Sequence, residues 1–92
     1  MAVIDVEAER DGRFRVVVSE EGSRTTHCVT VDSSYHRKLT AGAVSPEELV
    51  RRSFEFLLER EPKESILETF ALPVIARYFP EYEREILARL QA

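Results

Sequence analysis

The groups in this chain that could carry chemistry are one thiol, two imidazoles, a short basic cluster and three crowded aromatic rings. Cys28 directly follows His27. In a strand, adjacent side chains point to opposite faces, so this pair cannot serve as nucleophile and base. A Cys-His pair would have to use His36 instead, and no third group stands at a spacing that would orient it. His27 therefore reads as a histidine at the core margin with one hydrogen-bond partner, and Cys28 as a small apolar residue on a half-covered face. His36-Arg37-Lys38, beside Ser33 and Ser34, has the composition of an anion site at a helix start. No glycine-rich cradle follows it, so the trio reads first as the solvated face of a one-turn helix, with anion binding left open.

Other chemistries find less support. Two histidines and one cysteine without CxxC, HxxxH or HExxH spacing do not make a zinc or iron site. The glutamates of Glu47-Glu48, Glu59-Glu61 and Glu81-Glu83-Glu85 lie one or two residues apart, which spreads them around a helix and away from acid/base pairing. Tyr78, Phe79 and Tyr82, around Pro80, are the densest aromatics and are expected to pack the final helices down, with the tyrosine hydroxyls at a rim. No enzyme, catalytic residue, cofactor or metal is expected.

A chain of 92 residues makes one domain, which buries roughly 60 to 65% of the surface its unfolded form exposes. With 43% hydrophobic and 33% charged residues its composition is that of an ordinary globular protein. No apolar run approaches the roughly 20 residues of a membrane span, and Met-Ala-Val-Ile-Asp lacks the look of a signal peptide, so a cytoplasmic protein is expected. The net charge of -4 is spread along the chain. Residues 1 to 31 hold four basic and six acidic side chains and residues 32 to 92 hold nine and eleven, so nucleic acid is not an expected partner.

The elements that must position these groups follow from a change of period near Asp32. From Ala2 to Val31 apolar residues alternate two by two, as in strands; from Ser33 onward they recur every three or four, as in helices. Ile4, Val6 and Ala8 make one strand face and Phe14, Val16 and Val18 the next. If Arg10-Asp11-Gly12 is a three-residue loop with a left-handed Gly12, paired residues sum to 22, Ala8 meets Phe14, and Glu7 faces Arg15. A type II′ turn at Gly22-Ser23 would then start a third strand, Arg24 to Val31, with Val16 beside Val29, Val18 beside His27 and Cys28 near Val17. This order makes strand three an edge without charge or proline between Arg24 and Asp32.

In the helical part, Asp32-Ser33-Ser34 caps a short helix, Tyr35 to Leu39, ended by Gly42. Ser45-Pro46-Glu47-Glu48 is a capping box that opens a helix to about Arg60. Val50, Phe54, Leu57 and Leu58 form its apolar face, widened by Leu49 and Phe56, with Glu48-Arg52 and Arg51-Glu55 pairs outside. Pro62, Pro73 and Pro80 divide the rest into short helices, Lys63 to Phe70, Val74 to Phe79 and Glu81 to about Leu90. The expected architecture is α+β, a single domain over 1–92: a three-stranded antiparallel meander (1–31) packed by the capped helix and short C-terminal helices (33–92).

The stretch Glu61-Pro62-Lys63-Glu64-Ser65-Ile66-Leu67, then Phe70, Leu72-Pro73-Val74-Ile75, Tyr78-Phe79-Pro80 and Glu81-Tyr82-Glu83, resembles the C-terminal signature of a family of small uncharacterised bacterial proteins. That resemblance covers about a third of the chain and brings no catalytic residue with it. Asp11-Gly12-Arg13-Phe14 and Ser45-Pro46-Glu47-Glu48-Leu49 are similar, more loosely, to the strand, turn and capped helix of HicB-type antitoxins. This second resemblance implies inhibition of a toxin, with operator binding.

The functional expectation from the residues themselves is a small non-enzymatic module that binds a protein partner or a second copy. Strand three would supply the edge, and Val3, Val17, Thr26, Cys28 and Thr30 the contact residues of the edge and outer face. The antitoxin-like inhibitor is the alternative.

Overall fold

The computed structural model describes residues 1–91. Three antiparallel strands, β1 (Val3–Ala8), β2 (Arg13–Glu20) and β3 (Ser23–Thr30), are followed by α1 (Ser33–Thr40) and α2 (Pro46–Leu58). A 3₁₀ turn at Lys63–Ser65 leads into β4 (Thr69–Ala71), and α3 (Val74–Tyr78) and α4 (Tyr82–Gln91) close the chain. The α+β class stands. The sheet has four strands, not three, in the order β1-β2-β3-β4, and β4 runs parallel to β3.

The first hairpin has the register that charge and apolar patterning require. Val3 pairs Ser19, Val6 pairs Val16 and Ala8 pairs Phe14, while Arg15 Nη2 sits 3.0 Å from Glu7 Oε1. Gly12 adopts φ +72°. Its carbonyl accepts from Val31 N at 2.8 Å, which pins the loop against the end of β3.

The second hairpin differs by two residues from expectation. Glu21 and Gly22, at φ 51° and 82°, form the two-residue turn, so Glu20 pairs Ser23, Val16 pairs His27 and Phe14 pairs Val29. Two consecutive positive φ values define a type I′ turn, whose twist suits a hairpin better than the price of a left-handed glutamate argues against it. Because the slip is two residues, every side chain keeps its face. Cys28, however, lies opposite Arg15 and not Val17.

β4 corrects three further expectations. Residues 63–70 do not form a helix, the 33–92 segment is not wholly helical, and β3 is not a free edge. Phe70 and Leu72 alternate inward with Thr69 and Ala71 outward, and a short apolar run of this kind is ambiguous between helix and strand. The unpaired backbone of β3 decides the matter. Cys28 N donates to Glu68 O at 2.7 Å and Leu72 N to Thr30 O at 3.0 Å, bonds that a helix at this position would forgo.

α2 lies across the inner sheet face and buries Leu49, Val50, Phe54, Phe56 and Leu57. Ser45 Oγ accepts from Glu48 N at 3.1 Å. Only half of the capping box forms, because the Glu48 carboxylate turns to Arg52 at 2.6 Å. Arg51 does not pair with Glu55; it donates to the Ile4 carbonyl and so ties α2 to β1. The core joins Ile4, Phe14, Val16, Val18 and Val29 of the sheet to this helix and to Ile66, Phe70, Leu72, Ile75, Tyr82 and Ile86 behind it.

Candidate functional site

The structure separates His27 from Cys28 as strand alternation demands. His27 is 2% exposed on the inner face, its ring 5.3 Å from that of Phe54. Its Nδ1 is 2.8 Å from the Leu67 carbonyl, which can only accept, so the ring proton sits there. Nε2 then accepts from the Thr25 hydroxyl at 2.8 Å. This is a core histidine with both nitrogens satisfied. It holds the segment that leads into β4.

His36 does not join Cys28. Its Nε2 is 2.6 Å from the Val44 carbonyl, which fastens α1 to the loop before α2. The basic trio diverges as well. Lys38 Nζ lies 3.7 Å from Glu83 and over the Tyr35 ring, while Arg37 is exposed. Among the described residues no group of three or more His, Cys, Asp or Glu could hold a metal ion, and no helix is long and apolar enough to cross a membrane.

Two surfaces remain as candidates. The first is the outer sheet face, which carries all five residues expected to touch a partner. Cross-strand rows run Val3-Ser19-Arg24, Asp5-Val17-Thr26, Glu7-Arg15-Cys28-Thr69 and Arg13-Thr30-Ala71. None of these residues is buried; Val3 is 56% exposed, and Val17, Cys28 and Thr30 are half-buried by their strand neighbours alone. The even-numbered residues of β3 turn their backbone away from β2, as the bonds of Cys28 and Thr30 to the β4 segment show. Those of Arg24 and Thr26 continue that edge beyond the reach of β4.

The second surface is a groove of about 170 Å³ between the 3₁₀ turn, β4 and α3. Buried Ile66, Phe70 and Ile75 form its base, and Leu67, Tyr78 and Glu61 line its mouth. Leu67 and Tyr78 remain 46% and 66% exposed. Burial raises the Glu61 carboxyl above its ordinary pKa. Neighbouring cations do not offset that burial: Arg60 is drawn to Glu59, Glu81 and Glu85, and Lys63 to Glu64 at 2.7 Å.

The aromatic cluster accordingly divides. Tyr82 is fully buried with its hydroxyl 2.6 Å from Ser53 Oγ, and Phe79 packs edge-on to Phe56, whereas Tyr78 stands at the groove. Sequence spacing did not mark this groove. A helical reading of residues 63–70 puts Ile66 and Leu67 on one apolar stripe, while the extended backbone after Ile66 sends one inward and leaves the other exposed. The signal that could have found it is the pair of prolines, Pro62 and Pro73, confining ten residues to a segment too short for a comfortable helix with its caps.

No family model matches the chain, and no curated protein or solved structure matches it either.

Proposed function

We propose that this chain is a small non-enzymatic protein-interaction module whose contact surface is the outer face of its sheet. The observation that carries the reading is one-sided cover: helices bury the inner face, while Val3, Val17, Thr26, Cys28 and Thr30 face outward with no helix over them among the described residues. Charge on that face is arranged in columns, Asp5 and Glu7 on β1, Arg13 and Arg15 on β2, and Arg24 on β3. A two-fold axis parallel to the strands and between β2 and β3 lays β2 of one copy over β3 of the other and keeps the rows aligned. Val17 then meets Thr26, and Arg15 meets Cys28. This overlay superposes no like charges, which admits a second copy as the partner.

The size of the face sets the strength. The strands, of six, eight, eight and three residues, at about 3.4 Å per residue and about 4.8 Å spacing give a footprint of roughly 400 Å² per copy. That lies below standard interfaces and belongs to weak, transient association. Sedimentation equilibrium across micromolar concentrations tests it. The wild-type chain dimerises and Val17→Asp, which sets two carboxylates at the centre of the contact, is monomeric with an unchanged circular dichroism spectrum. A strictly monomeric wild type, or a dimer that survives Val17→Asp, rejects the reading.

A further inference from the structure

We propose that the groove between β4 and α3 binds a peptide segment of a partner protein by one apolar side chain with a lysine or arginine beside it. The site shares no residue with the outer sheet face and stands or falls independently of it. Its volume, about 170 Å³, is well below the roughly 300 to 1,000 Å³ of small-molecule pockets and suits one anchoring side chain. The base is wholly apolar, and Leu67 and Tyr78 flank it as large exposed apolar groups, the composition of an anchor point in a protein interface.

Charge supplies the rest of the partner's chemistry. Among the described residues Glu61 is the single charged group lining the groove and makes no ion pair. The cations next to it in sequence are spent elsewhere. Arg60 stacks 3.7 Å above the Phe56 ring and binds Glu81, and the Lys63 side chain is buried with its ammonium on Glu64. A carboxylate beside apolar surface without its own counter-ion favours a ligand that brings one. Neutral and acidic apolar segments gain only the anchor; a basic one gains both.

The test is selection of a random-peptide phage library on the full-length chain, followed by fluorescence anisotropy with the enriched peptides. Enriched sequences should carry an aromatic or large aliphatic residue with Lys or Arg within one turn or strand repeat. Tyr78→Ala and Leu67→Asp should each weaken binding more than tenfold. Glu61→Gln should weaken it roughly two- to tenfold and remove most of its salt dependence. Circular dichroism of all three variants confirms that they fold. Failure to enrich any sequence, binding that ignores Tyr78 and Leu67, or enrichment with no basic preference and no Glu61 effect would each overturn the proposal. So would dissociation of a wild-type dimer by Leu67→Asp, which would make a second copy the occupant.

Discussion

His27 offers the sharpest test of how this fold holds its parts. Replacement by Phe fills the space left by the imidazole but removes both ring nitrogens, leaving the Leu67 carbonyl and the Thr25 hydroxyl without their 2.8 Å partners. Two hydrogen bonds at about 1 kcal/mol net each, partly recovered by water at half-buried Thr25 and exposed Leu67, give a loss of about 1 to 2 kcal/mol. Replacement by Ala also deletes the ring that packs against Phe54 and leaves a cavity, which brings the loss to about 3 to 5 kcal/mol. Against a total stability of about 5 to 15 kcal/mol the second change approaches unfolding. Urea titration followed by far-ultraviolet circular dichroism measures both. Hydrogen exchange locates the effect: the amides of Cys28 and Leu72, which bond the β4 segment to β3, should lose protection in His27→Phe before those of β1 and β2 do. A His27→Phe variant within about 0.5 kcal/mol of wild type, with both amides exchanging as before, would refute the claim that this side chain clamps β4.

Two further outcomes follow from single positions. Gly12→Ala places a Cβ 2.8 Å from the Val31 carbonyl oxygen at φ +72°, so it should cost about 2 kcal/mol or more, whereas Gly22→Ala, strained at φ +82° but with open space around it, should cost about 1 kcal/mol; urea midpoints compare them. Burial raises the Glu61 carboxyl, so folding disfavours its charged form, and Glu61→Gln should raise the midpoint at neutral pH. Because the folded pKa lies above the unfolded one, that advantage shrinks as pH falls through the folded value and vanishes below the ordinary carboxylate range, so a gain that persists at acid pH would contradict it.

The legible part of this fold is the part whose signals are local. The β1-β2 register follows from which pairing puts Phe14 on Ala8 and Arg15 on Glu7, and only a three-residue loop ending at a left-handed glycine satisfies both. The start of α2 is written in Ser45 and Pro46, whose capping bond and fixed φ act within one turn. The turn between β2 and β3 was less legible because Glu21-Gly22 and Gly22-Ser23 both place glycine at a left-handed position. Both registers keep Phe14 and Val29 facing α2, and the difference lies only in which residues pair: the type I′ turn sets Phe14 on Val29 and Val16 on His27. β4 was illegible for a related reason. Three residues have no period of their own, and what makes Thr69–Ala71 a strand is the unpaired backbone of Cys28 and Thr30, some forty residues earlier in the chain.

The same contrast separates the two candidate surfaces. Outer-face residues could be named in advance, since alternation puts Val3, Val17, Thr26, Cys28 and Thr30 on one side in every register that differs from this one by an even number of residues. The groove could not, because it exists only where β4 fastens to β3 and turns the chain back at Pro73 into α3. His27 connects the two. It sits in β3, between strand neighbours that face outward, and its Nδ1–H holds the carbonyl of Leu67 at the groove mouth. Separate backbone bonds, Cys28 N to Glu68 O and Leu72 N to Thr30 O, cover the Cys28–Thr30 edge, so it becomes available for pairing only when β4 leaves, and Phe70 of β4 is part of the groove wall. Strand addition at Cys28 and an intact groove are therefore mutually exclusive states. A ligand held in the groove should slow alkylation of Cys28, whose half-buried thiol lies beside Thr69 of β4 on the outer face.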